Sequence, residues 1–211
     1  MAAIAAEIPQ KVAFVTAKAP TSPVDRSIAL QDIGFRTIDS ALTFVADRIA
    51  VPGDDPRIRH ARSDDAKAVA AVAKSTFRYS RFHLDPQIAD TTANDIKAAW
   101  ARNYFSGARG EGMLVAVGPD DTAVGFVQLL RKAGGDLVID LVAVSEAASR
   151  QGLASALIGR AAATGLDGTP PPSLTVGTQA ANIASCRLYE SLGFRLSQSS
   201  YVLHHHGRTA S

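Results

Sequence analysis

The fold is decided by the stretch Leu137-Val-Ile-Asp-Leu-Val-Ala-Val144, followed by Ser145-Glu-Ala-Ala-Ser-Arg-Gln-Gly-Leu-Ala-Ser-Ala-Leu157. The first part is an apolar, β-branched run of strand length with one acid, Asp140, and residues 151–160 have the pattern of a helix. A turn between a strand and a helix directs free backbone N–H groups and the positive helix end towards one point. Gly152 keeps side-chain bulk away from that point. The sequence therefore predicts an anion-binding turn, although most turns of this kind bind nothing.

A second strand and helix follow downstream, at Leu174-Thr-Val-Gly-Thr-Gln179 and Ala181-Asn-Ile-Ala-Ser-Cys-Arg-Leu-Tyr-Glu-Ser-Leu-Gly-Phe194. On a helix, Asn182, Cys186 and Tyr189 share one face because of their spacing. The buried stripe is predicted on another face and consists of Ala184, Leu188 and Leu192. Tyr189 is therefore predicted to lie off the core stripe.

Together the two stretches resemble the GNAT acyl-CoA N-acyltransferase superfamily. The family pattern Asn-x-x-Ala-x-x-Leu-Tyr-x-x-x-Gly-Phe is matched by Asn182, Ser185 in place of Ala, Leu188, Tyr189, Gly193 and Phe194. The resemblance implies an α/β fold with a mixed sheet, acetyl-CoA as co-substrate and no metal. It also implies that Tyr189 is catalytic and protonates the departing thiolate. A packing role at the rim of the site is the structural alternative.

The resemblance further implies where the coenzyme binds. The pantetheine and pyrophosphate would be held by the edge of the first strand, the turn after it and the start of the second helix. The residues implied to bind the coenzyme are Leu141, Val142, Val144, Ser149, Arg150, Gln151, Gly152, Leu153, Ala154, Asn182 and Ser185. Ser149 departs from the family, which commonly has Gln or Arg there. Because such a turn binds mainly through backbone donors, this departure affects one contact and not the site.

Length and composition indicate a globular protein. The chain has 211 residues, of which 46% are hydrophobic and 20% charged, enough for one full domain and an appendage. A net charge of +2 without a dense basic stripe argues against nucleic acid as a partner. The single Cys186 excludes an internal disulfide and favours a reducing compartment. No apolar run reaches the roughly eighteen residues of a membrane helix, so we expect a soluble, cytoplasmic protein with no membrane partner.

The N-terminal segment predicts a small βαβ subdomain in residues 1–53. Its elements are a strand at Lys11–Thr16, a helix at Val24–Ile33 and a strand at Phe35–Val45. Its ending in Gly34-Phe35 resembles Gly193-Phe194, which suggests a degenerate half-domain. A linker at 51–56, dense in turn formers, separates it from the main domain, residues 54–211.

The main domain is predicted to begin with a strand at residues 57–62, a helix capped by Ser63 and a helix capped by Asp85 with Pro86 in its first turn. The predicted inward faces consist of Val69, Val72, Ala73 and Phe77 on the first helix and Ile88, Ile96, Ala99, Trp100 and Asn103 on the second. Strands at 113–117 and 123–130 then form an antiparallel meander with the organising strand. A last strand runs through Tyr201-Val-Leu203.

A narrower resemblance, spread over nearly the whole chain, is to the dTDP-fucosamine acetyltransferase group. It rests on Ser80-Arg-Phe-His-Leu-Asp-Pro86, Trp100, Val176-Gly-Thr-Gln-Ala-Ala-Asn182 and Ser200-Tyr-Val-Leu-His204. It implies direct attack on acetyl-CoA, in a ternary complex, by the amine of a dTDP-linked 4-amino-4,6-dideoxyhexose. The residues implied to hold this nucleotide-sugar are Arg78, Tyr79, Arg81, His83 and Gln179. A solvated surface explains the charged residues among them equally well.

The general base is not evident from the sequence. Asp140, His83 and Glu146 are candidates, each with an ordinary structural explanation, and ordered water is an alternative. The run His204-His-His206 is no metal site by itself, because consecutive strand residues point to alternate faces.

Three functions therefore stay open. The first is the acetylation of a nucleotide-linked amino sugar. The second is a GNAT acetyltransferase acting on a protein N-terminus or another small amine. The third is a non-catalytic acyl-CoA-binding protein, which Ser149 and the missing base favour and Tyr189 opposes. The sequence does not decide the oligomeric state, for which a homodimer is the assembly considered.

Overall fold

The computed structural model describes residues 14–49 and 54–207. Eight strands form one mixed sheet in the order β1-β8-β2-β7-β6-β5-β4-β3. The strands are β1 Phe14–Pro20, β2 Arg36–Ala46, β3 Ile58–His60, β4 Gly112–Val117, β5 Ala123–Arg131, β6 Leu137–Val144, β7 Leu174–Gln179 and β8 Arg195–His206. The helices are α1 Asp25–Asp32, α2 Ala66–Thr76, α3 Asp90–Phe105, α4 Leu153–Thr164 and α5 Ile183–Ser191. The predicted mixed α/β fold is confirmed.

Helices cover both faces of the sheet. One core cluster joins α4 and α5 to the sheet through residues such as Leu157 and Tyr189. The other joins α2 and α3 to the opposite face through Val69 and Ala101. On β4, Leu114 belongs to the first cluster and Val115 to the second, as the alternation of side chains along a strand requires. The meander β4-β5-β6 is antiparallel, as predicted.

The N-terminal segment forms the predicted strand, helix and strand, within residues 14–46. The first three residues of the predicted strand at Lys11–Thr16 lie outside the described part of the chain. Both β1 and β2 pair antiparallel with β8, which lies between them, and β2 also pairs with β7. Helix α1 packs on this end of the sheet, with Leu30 against a small core around Phe35 and Leu203. The segment thus supplies two strands of the common sheet, and its division from the rest at residue 53 stays a prediction.

Two predicted helix starts are wrong. Ser63 begins a single 3-10 turn, and α2 starts after it, because the Asp65 carboxylate binds the backbone N–H of Arg62 and the guanidinium of Arg59. Helix α3 begins at Asp90 and not after Asp85.

The predicted inward face of α3 is wrong in part, since Trp100 packs on the core and lines the cleft with Asn103, but the buried residues are others. Its buried residues are Ala93, Lys97, Ala98 and Ala101, and Ile88 precedes the helix.

Asp85 belongs to a buried cluster, here called the Asp85 clamp. One carboxylate oxygen of Asp85 lies 2.6 Å from His204 Nδ1 and 2.7 Å from His206 Nε2. Its other oxygen accepts from the backbone N–H of Gln87 in the turn before α3. The side chains of Asp85 and His204 are fully buried. Burial alone would raise the pKa of Asp85, but hydrogen bonds from both imidazoles outweigh it and hold the pKa below its usual value. The clamp ties the segment before α3 to the end of β8.

Replacing Asp85 with Ala leaves two imidazoles without their acceptor in the core. We expect the free energy of unfolding to fall by about 3 kcal/mol, the scale of breaking a buried charged pair. The matched control is Asp95→Ala, since the ion pair of Asp95 with Lys74 is exposed and should contribute less than about 1 kcal/mol. Urea denaturation at pH 7 measures both variants. Equal losses would contradict a structural role for the clamp.

Candidate functional site

The candidate site opens where β6 and β7 separate. The two strands are parallel and pair only through Leu137, Val138 and Ile139 on β6. The next residue, Asp140, is a β-bulge, because Ile139 pairs with Leu129 whereas Leu141 pairs with the adjacent Gln128. Beyond the bulge, β6 stays paired with β5 and β7 stays paired with β2, but the edges of β6 and β7 that face each other are unpaired. These edges offer backbone N–H and C=O groups to a ligand.

A cleft of about 890 Å³ occupies this opening. It is lined by β2, β6 and β7, by α5, and by the end of α2 with α3 opposite. Of the residues predicted to bind or react, the cleft brings together Leu141, Val142, Val144, Ala154, Asn182, Ser185, Tyr189, Arg78, Tyr79, Arg81 and Gln179. The cleft lining does not include Ser149, Arg150, Gln151, Gly152, Leu153 or His83.

The turn predicted to bind an anion lies between the end of β6 and the start of α4. It has left-handed backbone at Arg150, with φ 60°, and at Gly152, with φ 76°. Within the described residues, no acceptor bonds the backbone N–H groups from Arg150 to Ser155. A Cβ added at Gly152 would meet no protein atom within 4 Å, so the space in front of the glycine is open. The turn therefore presents free donors and the N-terminus of α4 to solvent beside the cleft.

Helix α5 begins at the predicted Asn182. Its side-chain oxygen accepts a hydrogen bond of 3.2 Å from the backbone N–H of Ser185, which caps the helix. This bond fixes the start of α5 at the edge of the cleft. Cys186 is half-buried, and burial raises the pKa of its thiol, which suits a packing residue better than a nucleophile.

The predicted buried stripe of α5 is wrong in part. Ala184 is exposed, whereas Tyr189 is 3% exposed and packs between Phe44 and Phe194. The short helix crosses the sheet so that the tyrosine ring belongs to the core while the residue still lines the cleft. Burial raises the pKa of the Tyr189 hydroxyl to about 12, and a hydrogen bond with Ser185 opposes the rise. The phenol is therefore neutral throughout the physiological range.

The cleft also contains a cluster of positive charges. We call Lys18, Arg81, Lys97 and Arg109 the cationic cluster, since all four line the cleft. Burial lowers the pKa of Arg81, as does the nearby Arg109. Arg81 stacks on the rings of Phe82 and Trp100, and its buried Nε has no hydrogen-bond partner in the described structure. Such a group has lost water without gaining a protein partner, which is expected of a binding site for an anion.

Arg109 is the exception within the cationic cluster, because it has a carboxylate partner. Its guanidinium contacts both oxygens of Asp140 at 2.6 Å, and the Asp140 side chain also accepts from Gln128. The hydrogen bonds to Asp140 raise the pKa of Arg109. Asp140 thus anchors the loop after α3 to the bulge of β6.

Sequence reasoning missed Lys97. It is 8% exposed, and its Nζ lies 4.7 Å from the ring centre of Phe77 and 4.6 Å from that of Trp100. Burial, followed by repulsion from Arg81, lowers its pKa to about 8. The signal available in the sequence was a lysine four residues before the inward-facing Ala101, on the same helical face.

The other residues predicted to bind the nucleotide-sugar do not all lie together. Arg78 and Tyr79 are exposed at the mouth of the cleft, and Gln179 is half-buried at the end of β7. His83 bonds Ser80 and Asn94 through its two ring nitrogens and is not brought to the cleft. Its prediction as an acceptor residue is therefore not supported by its contacts.

The histidines at the end of β8 lie as alternation requires. His205 points away from the other two and packs on Phe35. His204 and His206 meet Asp85, and the ligand atoms of all three lie within 4.8 Å of one another, as in sites that can hold a metal ion. The Asp85 oxygen already accepts from both imidazoles, whereas the buried Nε2 of His204 has no hydrogen-bond partner among the described residues.

No helix among the described residues is long and apolar enough to cross a membrane. The model of the acetyltransferase (GNAT) family matches residues 67–194. The spore coat polysaccharide biosynthesis protein SpsD of Bacillus subtilis (strain 168) is 28% identical over 144 residues, which are 66% of this chain and 47% of that protein. The chain thus spans about half the length of this curated relative.

Solved structures show the same fold. A GCN5-related N-acetyltransferase from Sphaerobacter thermophilus has a TM-score of 0.62 at 16% identity, over 94% of this chain and 61% of that one. A putative acetyltransferase of the GNAT family from Novosphingobium aromaticivorans DSM 12444 has a TM-score of 0.57 at 22% identity, over 92% and 74%. The family match covers more than half of the sequence, so this chain belongs to the GNAT acetyltransferase family, whose members use acetyl-CoA as co-substrate.

Proposed function

We propose that this protein transfers an acetyl group from acetyl-CoA to the amine of a nucleotide-linked amino-deoxy sugar. The sugar is of the dTDP-4-amino-4,6-dideoxyhexose class, and its amine attacks the thioester directly in a ternary complex. The observation that carries this proposal is the cationic cluster of the cleft. It lies in the same cavity as Tyr189 and the free edge of β6, so a substrate can join the two regions.

The charge pattern favours an acceptor that carries phosphate. Arg81 has no carboxylate partner among the described residues, and a buried, unpaired arginine suits the oxygens of a diphosphate. A peptide N-terminus or a simple amine is itself a cation at neutral pH and would be repelled there. The relative from Bacillus subtilis is named for polysaccharide biosynthesis, which agrees with a sugar acceptor.

The coenzyme would enter from the opposite side. Its diphosphate would bind the free N–H groups at residues 150–155, and its pantetheine arm would pair with the free edge of β6 at Leu141, Val142 and Val144. The acyl sulfur would then reach Tyr189. Since acyl-CoA and nucleotide-sugars are made inside cells, and the chain has a single free Cys186, we propose a cytoplasmic location.

Tyr189 would assist the departure of the thiolate as a hydrogen-bond donor. Full proton transfer from a phenol with a pKa of about 12 to a thiolate whose thiol has a pKa near 8.5 costs about 5 kcal/mol. A hydrogen bond to the developing negative charge avoids this cost, because the proton stays on the phenol. The presence of such a donor in the cleft argues against a protein that only binds acyl-CoA.

The first prediction from this function tests whether the turn between β6 and α4 binds the coenzyme. Gly152→Val should raise the dissociation constant of acetyl-CoA about tenfold or more, because the side chain fills the space that the diphosphate needs. Gly134→Val is the matched control, since Gly134 has a similar φ of 84° and the same open surroundings. Both variants carry the same backbone strain, and calorimetry compares their affinities. If both weaken binding equally, or neither does, the coenzyme binds elsewhere.

The second prediction tests the acceptor. Arg81→Ala should raise the KM of a dTDP-linked amino sugar about tenfold or more while the KM of acetyl-CoA changes little, because a charged hydrogen-bonding partner is lost. Arg102→Ala, an exposed arginine of α3 outside the cleft lining, is the control. Initial rates at varied concentrations of each substrate measure the effect. Equal turnover of the free and the nucleotide-linked sugar would count against this acceptor.

The third prediction concerns Tyr189→Phe, which keeps the ring between Phe44 and Phe194. Loss of the hydroxyl should lower the single-turnover rate about a hundredfold, the scale of removing one donor to a developing charge. Binding of acetyl-CoA should stay nearly the same. The control is Tyr104→Phe, because Tyr104 is half-buried outside the cleft lining. A wild-type rate for Tyr189→Phe would leave the tyrosine with a packing role alone.

A further inference from the structure

Amine acetylation requires a group that removes a proton, and the three candidates from the sequence do not provide it. Both oxygens of Asp140 are bonded to Arg109. Both ring nitrogens of His83 are bonded, one to Ser80 and the other to Asn94, and His83 itself does not line the cleft. Glu146 is exposed in the turn after β6 and does not line the cleft.

Lys97 differs from all three in its surroundings. It is buried on α3, lines the cleft, and lies against two aromatic rings and no carboxylate. The groups that face it are Arg81 from the segment before α3, Arg109 from the loop after it and Asp140 from β6. Two cations and one acid surround it, and that acid is already paired with Arg109.

We propose that Lys97 is the general base of the acetyl transfer and takes its proton from the acceptor amine at Nζ. The amine nitrogen attacks the carbonyl carbon of the thioester and forms the new C–N bond. As the C–S bond breaks, the nitrogen loses one proton to Lys97 Nζ, and the sulfur leaves with the bonding electron pair. The thiolate, stabilised by the hydrogen bond from Tyr189, then takes up a proton from solvent. The products are an amide and free coenzyme A, and Lys97 returns its proton to solvent.

The electrostatics of the site suit this role. A base works best when its pKa lies near the working pH, and burial brings the pKa of Lys97 to about 8. Burial is the largest cause of this shift and persists when a ligand fills the cleft. An anion bound at Arg81 and Arg109 would remove part of the repulsion and raise the pKa somewhat. The base role rests on the proposed acetyl transfer, whereas the pKa itself can be measured without any substrate.

The decisive comparison is between a base and a fixed cation. Lys97→Arg keeps the positive charge and the aliphatic stem but cannot lose a proton in the working range. For a general base, kcat should fall about a hundredfold or more while the KM of the acceptor stays within a few-fold. If Lys97 only attracts an anion, Lys97→Arg keeps the wild-type kcat, and the proposal is overturned. The acceptor in this test is whichever amine the wild type acetylates fastest, so the result does not depend on the sugar.

A chemical replacement of the lysine tests its titration directly. In a Cys186→Ser background, Lys97→Cys alkylated with 2-bromoethylamine carries a lysine analogue whose thioether lowers the amine pKa. The rising limb of kcat/KM against pH, which reports the free enzyme and is expected near 8 in the wild type, should return with activity and move to lower pH. A restored activity with an unmoved limb would overturn the proposal, because the limb would then belong to another group.

A third measurement needs no activity and uses a different variant, so it decides the case in which Lys97→Arg does not fold. A lysine whose folded pKa lies below its unfolded pKa of about 10.5 opposes folding while it is protonated. The stability of the wild type relative to Lys97→Met should therefore rise as the pH increases from about 8 towards 10. A difference that is constant over this range would overturn the low pKa and with it the base. Failure of every nucleotide-sugar as acceptor would instead overturn the proposed substrate and leave this result intact.

Discussion

The site depends on one irregularity of the sheet, the β-bulge at Asp140. Before the bulge, Leu137 and Ile139 pack on the α4 side of the sheet, whereas after it Leu141 and Ala143 pack on the α2 and α3 side. The extra residue reverses the alternation, bends β6 away from β7 and ends their pairing. A regular strand would have continued the parallel ladder and closed the cleft. The free edge of β6 and the space for two substrates therefore have a common origin.

The same residue organises the charges. The Asp140 side chain is 11% exposed and holds Arg109 with both oxygens, which fixes the loop after α3 over the cleft. The neighbouring Arg81 and Lys97 have no such partner among the described residues. Buried cations without counter-charges cost free energy, so a protein is expected to keep them where they contribute to binding or catalysis. A phosphorylated acceptor would supply the missing negative charge.

Much of this fold could be predicted from local patterns. The strand at 137–144 and the helices predicted at 151–160 and 181–193 follow from periodicity, and all three are present, with the helices at Leu153–Thr164 and Ile183–Ser191. The cap at Asn182 was not predicted and is a finding of the structure. Asp85 caps a short turn before α3 and not the helix itself, and its two partners on β8 are distant in sequence, so a pattern of neighbours could show neither. Tyr189 was placed off the core because helical spacing does not reveal the aromatic rings of Phe44 and Phe194 that receive it. Lys97 was missed because a lysine is ordinarily a surface residue.

The two residues assigned to proton handling owe their states to one cause. Burial disfavours the charged form of any group, so it lowers the pKa of Lys97 to about 8 and raises that of Tyr189 to about 12. Near pH 8 this leaves a substantial fraction of neutral amine, able to accept a proton, and a neutral phenol, able to donate a hydrogen bond. Acyl transfer to an amine needs both at the same time, with the acceptor nitrogen becoming positive and the sulfur negative. Desolvation by the walls of the cleft is therefore the largest cause that prepares both groups, and for Lys97 the repulsion from Arg81 adds to it.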